Sequence, residues 1–222
     1  FGPDISYGLY ECVGRPAECW AKIGDRYLLA DALAEEALHA ARLDATNPEM
    51  IKRLRDVSAD ELSELVCAHP LRGVEGAEGE WDYDVPLLPG DHVTDDAGTG
   101  FVHTAPSHGD DDYQIGLKHG LPMTFNILDD SAYRADLPFF GGRKIVENNG
   151  KPGKANRTVN EKLVEVGGLL ARKRLTISDA HSWRSKAPVI RLNRPQWFAS
   201  VDREVGDGQD TYGKTIRERA LK

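Results

Sequence analysis

One stretch of sixteen residues, GTGFVHTAPSHGDDDY, concentrates side chains that could do chemistry. It runs from Gly98 to Tyr113 and contains two histidines, three consecutive carboxylates and a proline. Four kinds of structure could use such a set: a metal site, a phosphate-binding loop, a corner that binds a small polar ligand, or a plain turn between a strand and a helix. The spacing of the residues helps to choose among them.

A metal site would use the two imidazoles. His103 and His108 are five residues apart with Pro106 between them, whereas paired zinc ligands usually lie on one helix or beside cysteine partners. Asp110 or Asp112 could complete a ligand set, so a metal-dependent hydrolase that uses His103, His108 and Asp112 stays an alternative. A phosphate-binding loop is disfavoured, because three neighbouring carboxylates repel an anion.

A plain turn explains much of the stretch, because Gly98 and Gly100 permit tight turns and acids suit the start of a helix. It leaves the two histidines unexplained. If a strand that ends at Thr104 meets a helix that begins near Asp110, the junction is a concave corner of the kind that binds small polar ligands. A carboxylate in the first helical turn would hold an ammonium group there, since a charge-assisted hydrogen bond is about twice as strong as a neutral one. We therefore expect a ligand that carries a primary amine.

The same residues resemble the editing domain that is inserted in class I aminoacyl-tRNA synthetases, in particular the isoleucyl-tRNA synthetases. Three motifs carry the likeness: GTGFVHTAPSHGDDDYQIGLKHGLP, HSWRSKAP from His181 to Pro188, and PQWF from Pro195 to Phe198. The resemblance spans essentially the whole chain. The editing domain of the valyl-tRNA synthetases is the nearest alternative.

The resemblance implies post-transfer editing, in which the ester of mischarged valyl-tRNA(Ile) is hydrolysed to valine and intact tRNA. Valine and isoleucine are the standard example of why editing is needed, because one methylene in a hydrophobic pocket contributes only about 1–3 kcal/mol. No cofactor is implied for editing, and ATP belongs to the synthetic domain of the whole enzyme, outside this chain. The implied partners are the 3′ end of tRNA(Ile), the mischarged valine and the rest of the synthetase.

The resemblance also implies roles for individual residues. Asp112 would bind the α-ammonium group of the mischarged amino acid, and His103 would form a wall of the side-chain pocket that excludes isoleucine. Both are predicted to act in catalysis, with water positioning preferred to a general base as the source of rate. Five further residues are predicted to bind substrate: Thr104, Ala105, Pro106, His108 and Gly109. Trp183 is expected in the core or beside the tRNA end.

The family's Thr-rich segment, which precedes the region matched by Phe1, is absent from the chain. We therefore expect the chain alone to keep the fold and to lose hydrolysis. This leaves a tRNA-binding or structural module as the alternative function. Residues 1–205 are predicted to form the editing domain, and residues 206–222 a connector toward the synthetic core.

The composition is that of a folded globular domain, with 40% hydrophobic and 29% charged residues in 222. A net charge of −8 argues against binding nucleic acid over the whole surface, so any polyanion contact is expected at Arg172–Arg174 or Arg184–Arg194. The cysteines, Cys12, Cys19 and Cys67, form no CxxC pair, which favours a reducing, cytoplasmic compartment over a disulfide framework. The sequence predicts no membrane or export segment.

Several elements must position these residues. Alternating apolar side chains at Ile5, Tyr7 and Leu9 predict a first strand, and apolar residues at helical spacing predict a helix over Asp25–Leu43. A capping box at Ser58–Glu61 predicts a helix that ends near His69.

The rest of the chain is predicted to mix short strands with two more helices. Short apolar runs at 85–88, 91–93 and 100–102 predict strands, and strands are expected again from Leu175 to about Asp202. Acids at one end and Gly120 at the other predict a helix over Asp110–His119. A second capping box, Thr158–Glu161, predicts another helix. The sum is an α+β fold with a β-barrel-like core, closed or partly closed, and peripheral helices.

Overall fold

The computed structural model describes residues 1–173, 180–206 and 211–221. The chain divides into two compact units, Phe1–Arg191 and Leu192–Lys222. The larger unit contains the motif-bearing stretch and three clusters of buried side chains.

A three-stranded antiparallel sheet forms the base of the larger unit. Its strands are β1 (Tyr7–Cys12), β2 (Arg26–Ala30) and β3 (Ile51–Val57), in the order β2-β1-β3. Tyr7 lies opposite Ala30 on one side and opposite Val57 on the other. The first strand was predicted from alternating apolar residues, and this prediction is confirmed with a start at Tyr7.

The prediction of one helix over Asp25–Leu43 is wrong in its first part. β2 occupies the beginning of this range, and helix α1 spans only Asp31–Ala40. The physical reason is the alternation of packing: Leu29 belongs to one buried cluster, whereas its neighbours Leu28 and Ala30 pack in another. A strand places successive side chains on opposite faces, as a helix does not.

A partly buried ion pair fixes the start of α1 on the sheet. Asp31 accepts hydrogen bonds from Arg53 Nε at 3.0 Å, from Arg53 Nη2 at 2.8 Å and from the Tyr10 hydroxyl at 2.6 Å. The Arg53 guanidinium, and then the Tyr10 hydroxyl, hold the pKa of the Asp31 carboxyl below its ordinary value. Arg53 also donates to Asp56 at 2.6 Å, but the Asp56 side chain is 91% exposed.

Replacing Asp31 with asparagine is expected to lower the free energy of unfolding at neutral pH by about 1–2 kcal/mol, after allowance for solvent screening. Because the folded pKa lies below the unfolded value, the contribution is complete above about pH 4 and is lost as the pH falls through the folded pKa. Urea unfolding of wild type and Asp31→Asn at neutral and acidic pH checks this. The difference between the two proteins should close in acid.

Asp56→Asn is the matched control, because it removes the exposed carboxylate from the same arginine. It is expected to cost at most about 0.5 kcal/mol. Equal losses in the two variants, or a difference between wild type and Asp31→Asn that persists in acid, would contradict this account.

The capping box at Ser58 forms as predicted. Helix α2 (Ala59–Glu64) begins with the Ser58 hydroxyl accepting from the Glu61 N–H, while the Glu61 carboxylate accepts from the Ser58 N–H. The helix ends before His69, because strand β4 (Val66–Ala68) follows at once and pairs with β5 (Asp84–Pro86).

Two of the predicted strands, at 91–93 and 100–102, do not form. Residues 91–93 are turn and irregular backbone, and Gly100–Val102 runs without a ladder partner. Their apolar residues are used for packing: Val93 is buried, and the Phe101 ring lies 4.9 Å from the Tyr7 ring. Apolar runs between glycines and prolines therefore marked contacts with the core rather than strands.

The second capping box was wrongly assigned. Helix α3 spans Asp110–His119 as predicted, but helix α4 spans Ala155–Glu165 and begins three residues before Thr158. The Thr158 hydroxyl lies inside the helix and donates to the Lys154 carbonyl at 3.0 Å. A threonine at this spacing can bond backward along a helix instead of capping it.

Strands were expected from Leu175 to about Asp202, and the described part of this region, 180–202, contains little regular structure. Residues 174–179 lie outside the described residues, and the described part contains one isolated bridge between His181 and Pro188. The smaller unit holds β6 (Glu204–Gly206), β7 (Thr211–Thr215) and helix α5 (Ile216–Ala220), which has its own capping box.

The α+β class is confirmed. Over the ranges that the structure describes, the strands form three small antiparallel sheets of three, two and two strands, and no closed barrel. The barrel-like core, which was expected from the succession of predicted short strands, is not confirmed and stays a prediction. Among these same residues, none of the helices has the length and apolar character needed to cross a membrane.

Candidate functional site

The segment before the site is tied to the sheet. The Tyr7 hydroxyl donates to the Gly100 carbonyl at 2.6 Å, and the Ala30 N–H donates to the Thr99 carbonyl at 2.9 Å. Gly100 has a φ of +81°, and a Cβ at this position would overlap the Ala30 methyl and lie 3.1 Å from the Tyr7 ring. Glycine is required here both for the left-handed backbone and for the close approach.

Helix α3 supplies the carboxylates. The charged side chains complement the helix dipole, because acids are favourable at the start of a helix and cations at its end. Asp110, Asp111 and Asp112 lie in the first turn, and Lys118 and His119 lie in the last. Gly120 ends the helix in the left-handed region at φ 67° and donates its N–H to the Gly116 carbonyl. The electrostatic and capping signals therefore predicted both ends of this helix correctly.

A proline turn faces this helix. The His108 N–H donates to the Ala105 carbonyl at 2.9 Å, which closes a turn around Pro106. Gly116 allows α3 to pack directly on this turn, because a Cβ at that position would lie 2.8 Å from Pro106 Cβ. The turn and the first helical turn are held together as one corner.

Asp112 closes the corner. Its Oδ2 accepts a hydrogen bond from the Ala105 N–H at 3.1 Å, and the carboxylate also lies against Gly109. The side chain is half-buried, whereas Asp110 and Asp111 are exposed. Within residues 1–173, 180–206 and 211–221, Oδ1 of Asp112 has no hydrogen-bond partner. This oxygen is available to a ligand.

His103 lies at the exposed edge of the same segment. It makes no hydrogen bond to Asp112 in the described parts of the chain. His103 also acts on His69, whose pKa is lowered first by burial and then by His103. Among the described residues, no hydrogen bond joins the two predicted catalytic residues, His103 and Asp112.

Sequence reasoning missed the aromatic group around His69. The His69 ring stacks on Trp81 with 4.8 Å between centroids and lies 5.2 Å from the Tyr83 ring. His69 Nδ1 accepts from the Leu71 N–H at 3.1 Å, which leaves the proton of the neutral ring on Nε2. The only signal in the sequence was the His-Pro pair, which was interpreted as a helix end.

The two histidines of the motif are used differently. His108 is half-buried, and its Nδ1 lies 3.1 Å from the Arg191 carbonyl, so it ties the turn to a later part of the chain.

Ser107, which carried no weight in the prediction, is buried, and its Oγ lacks a hydrogen-bond partner among the described residues. The remaining predicted substrate-binding residues, Thr104, Ala105, Pro106 and Gly109, all line the turn and are half-buried.

The metal alternative finds no supporting geometry. In the described ranges, no three side chains of histidine, cysteine, aspartate or glutamate come together as a ligand set. This includes His103, His108 and Asp112, which were its proposed ligands.

Trp183, in the HSWRSKAP motif, does not lie in the core. Trp183 is 76% exposed, and Arg184 lies over its ring at 4.9 Å. The expectation of a core position for Trp183 is therefore wrong, and a contact beside the tRNA end stays a prediction. Of the basic residues Arg172–Arg174, Lys173 pairs with Glu36 at 2.7 Å, and Arg174 lies outside the described residues.

Comparison with known proteins defines the class. No family model matches the chain. Individual relatives do, and they are isoleucine–tRNA ligases, a kind of aminoacyl-tRNA synthetase. The chain corresponds along its whole length to a segment of these proteins.

Three relatives illustrate the match. The chain is 55% identical to the isoleucine–tRNA ligase of Ruegeria pomeroyi over 224 residues, which is all of this chain and 23% of that protein. It is 47% identical to the Caulobacter vibrioides ligase and 43% identical to the Bradyrhizobium diazoefficiens ligase, again over all of this chain and 22% of each relative. The chain thus spans about a fifth of the length of the curated relatives it matches.

Proposed function

We propose that this chain is the part of an isoleucine–tRNA ligase that hydrolyses the ester of mischarged valyl-tRNA(Ile). The observation that carries the proposal is the half-buried Asp112 carboxylate: the Ala105 N–H binds one of its oxygens, and the other oxygen has no hydrogen-bond partner among the described residues. A carboxylate fixed in this way suits an amino acid whose amine is free and protonated, as in an aminoacyl ester.

The chemistry follows from the corner. The α-ammonium group pairs with Asp112, which places the ester carbonyl near the His-Thr-Ala-Pro backbone and the side chain toward His103. Water adds to the carbonyl and the bond to the ribose oxygen breaks. One proton of the water goes to the ribose oxygen, which becomes a hydroxyl, and the other goes to solvent, so valine leaves as its carboxylate. Holding ester and water together supplies rate without a dedicated base.

Selectivity belongs to the side-chain pocket. Valine differs from isoleucine by one methylene, which is worth only about 1–3 kcal/mol to a pocket that attracts both. A second pocket that excludes the larger side chain needs no such attraction. His103, exposed at the end of the turn, is the residue we assign to this wall.

The test uses the Ruegeria pomeroyi ligase with its matched segment replaced by this chain, called here the grafted ligase. We expect it to deacylate valyl-tRNA(Ile) at least about tenfold faster than isoleucyl-tRNA(Ile), the discrimination that one methylene allows. The ligase with its own segment is the control. Equal rates on the two esters, or no hydrolysis by the grafted ligase while the control is active, would contradict the proposal.

The alternative is a module that binds tRNA without hydrolysing it. It differs from the first proposal in predicting RNA binding without ester hydrolysis. The 222-residue chain could bind RNA without deacylating it while the grafted ligase is active. That result would mean that catalysis needs this chain joined to the rest of the ligase. The tRNA partner, the independence of editing from cofactors and the cytoplasmic location are parts of this same proposal.

A further inference from the structure

An exposed tryptophan lies in the loop between β1 and β2, away from the motif in sequence. Trp20 is 43% exposed, although its neighbour Ala21 is buried and its other neighbour, Cys19, donates its thiol to the Ala41 carbonyl at 3.0 Å. In the described parts of the chain, no aromatic ring or cation packs on the Trp20 ring. The indole face is therefore available.

Two arginines hold this loop in place. Arg15 Nη1 donates to the carbonyls of Pro16, Ala17 and Cys19 at 3.3, 3.5 and 3.1 Å. Arg42 Nη1 donates to the Glu18 carbonyl at 3.2 Å and to the Glu18 carboxylate at 2.6 Å. The loop therefore presents Trp20 in one fixed position, which reduces the entropy lost when a ligand binds.

Trp20 separates two neighbouring cavities, of about 270 Å³ and 470 Å³, and both are also lined by Arg172. The smaller cavity includes Arg42 and Glu18. The larger one is completed by one face of α4, where Arg157, Asn160, Glu161 and Val164 follow each other at helical spacing. The volumes suit a ligand the size of a nucleotide.

The cavities carry a net positive charge on a protein of net charge −8. Arg42 pairs with Glu18, and Arg157 pairs with Glu161. Arg172 is exposed and has no ion pair or hydrogen bond among the residues that the structure describes, and the same is true of the Asn160 amide. One unpaired guanidinium and one free amide thus lie around an open indole.

This set of groups matches the parts of a nucleotide in a single strand. Bases of any sequence stack on aromatic rings, phosphates bind guanidinium groups, and a carboxamide can bond a base edge. The position agrees with the sequence, since Arg172 begins one of the two basic stretches where a polyanion contact was expected.

We propose that Trp20 and Arg172 form a binding site for one nucleotide of single-stranded RNA, with the base on the indole and the phosphate on the guanidinium. Asn160 faces the same cavity and contributes a contact to the base edge. The inference rests on the proposed function only for the identity of the RNA, which would be the single-stranded end of the tRNA.

The test measures fluorescence anisotropy of a labelled oligoadenylate of about eight nucleotides, titrated with the 222-residue chain. Trp20→Ala is expected to weaken binding about tenfold or more, and Trp20→Phe to retain most of the affinity, because a ring remains for stacking. Arg172→Gln is expected to reduce the slope of log Kd against log salt concentration by about 0.7, the value for one phosphate contact on a single strand.

Ile23→Ala is the matched control, because Ile23 is 68% exposed in the same loop as Trp20 but lines neither cavity. It should change Kd less than about twofold, well below the effect of losing a stacked base. Unchanged binding in Trp20→Ala and Arg172→Gln would overturn the inference, as would equal losses in Trp20→Ala and Ile23→Ala.

Failure of this inference is separable from failure of the proposed function. If Asp112→Ala keeps full deacylation in the grafted ligase, the editing proposal fails and the RNA site is unaffected. If Trp20→Ala binds RNA normally, only the nucleotide site is overturned.

Discussion

Asp112→Ala is expected to lower the deacylation of valyl-tRNA(Ile) by the grafted ligase about 100-fold, with little change in the stability of the fold. The variant removes the partner of a partly desolvated ammonium group, a loss of about 3 kcal/mol, and each 1.4 kcal/mol corresponds to about tenfold in rate. Single-turnover hydrolysis of radiolabelled valyl-tRNA(Ile) measures this directly.

Two further variants separate the charge of Asp112 from its structural contact. Asp112→Asn keeps an oxygen that can accept from the Ala105 N–H, so a similar loss in this variant assigns the effect to the charge. Asp111→Ala removes a neighbouring but exposed carboxylate and should stay within about threefold of wild type, as surface changes usually do. Full activity in Asp112→Asn would mean that Asp112 only closes the turn.

The second large effect is expected at Gly100, three residues before His103. A methyl group at this position would overlap the Ala30 methyl and lie 3.1 Å from the Tyr7 ring, on a backbone with φ +81°. Gly100→Ala should therefore cost about 2–5 kcal/mol, from backbone strain together with overpacking. Urea unfolding measures the cost, and the turn that carries the site should shift with it.

Gly98 provides the control for the backbone contribution. Its φ is +83°, but a methyl group there would meet nothing within 4 Å. Gly98→Ala should cost only the strain, about 1 kcal/mol. Equal costs for the two substitutions would show that the close approach of Gly100 to the sheet does not contribute to stability.

Local signals predicted the parts of the fold whose causes are local. The charges and Gly120 of α3, and the capping box at Ser58, act within one or two turns, and both helices begin where the sequence predicted. The Asp25–Leu43 range failed for the opposite reason. Its first part is a strand because a distant strand pairs with it and because two buried clusters cover its two faces.

The sequence predicted which residues meet at the corner but not the contacts between them, and the roles of these residues stay predictions. The carboxylate that reaches the corner is Asp112, because only the third residue of the helix turns back to the Ala105 N–H. The His69 group could not be found in this way, since it joins residues from three positions along the chain through ring stacking. Stacking leaves no periodic pattern in a sequence.

The central claim, that Asp112 pairs with the amine of the mischarged residue, is tested most directly by removing the amine from the substrate. Hydrolysis of valyl-tRNA(Ile) is compared with that of the same ester bearing a hydroxyl in place of the amine, in the grafted ligase and in its Asp112→Asn variant. We predict that the wild-type preference for the amine, about 100-fold, falls to within a few fold in the variant. The same preference in both proteins would contradict the account.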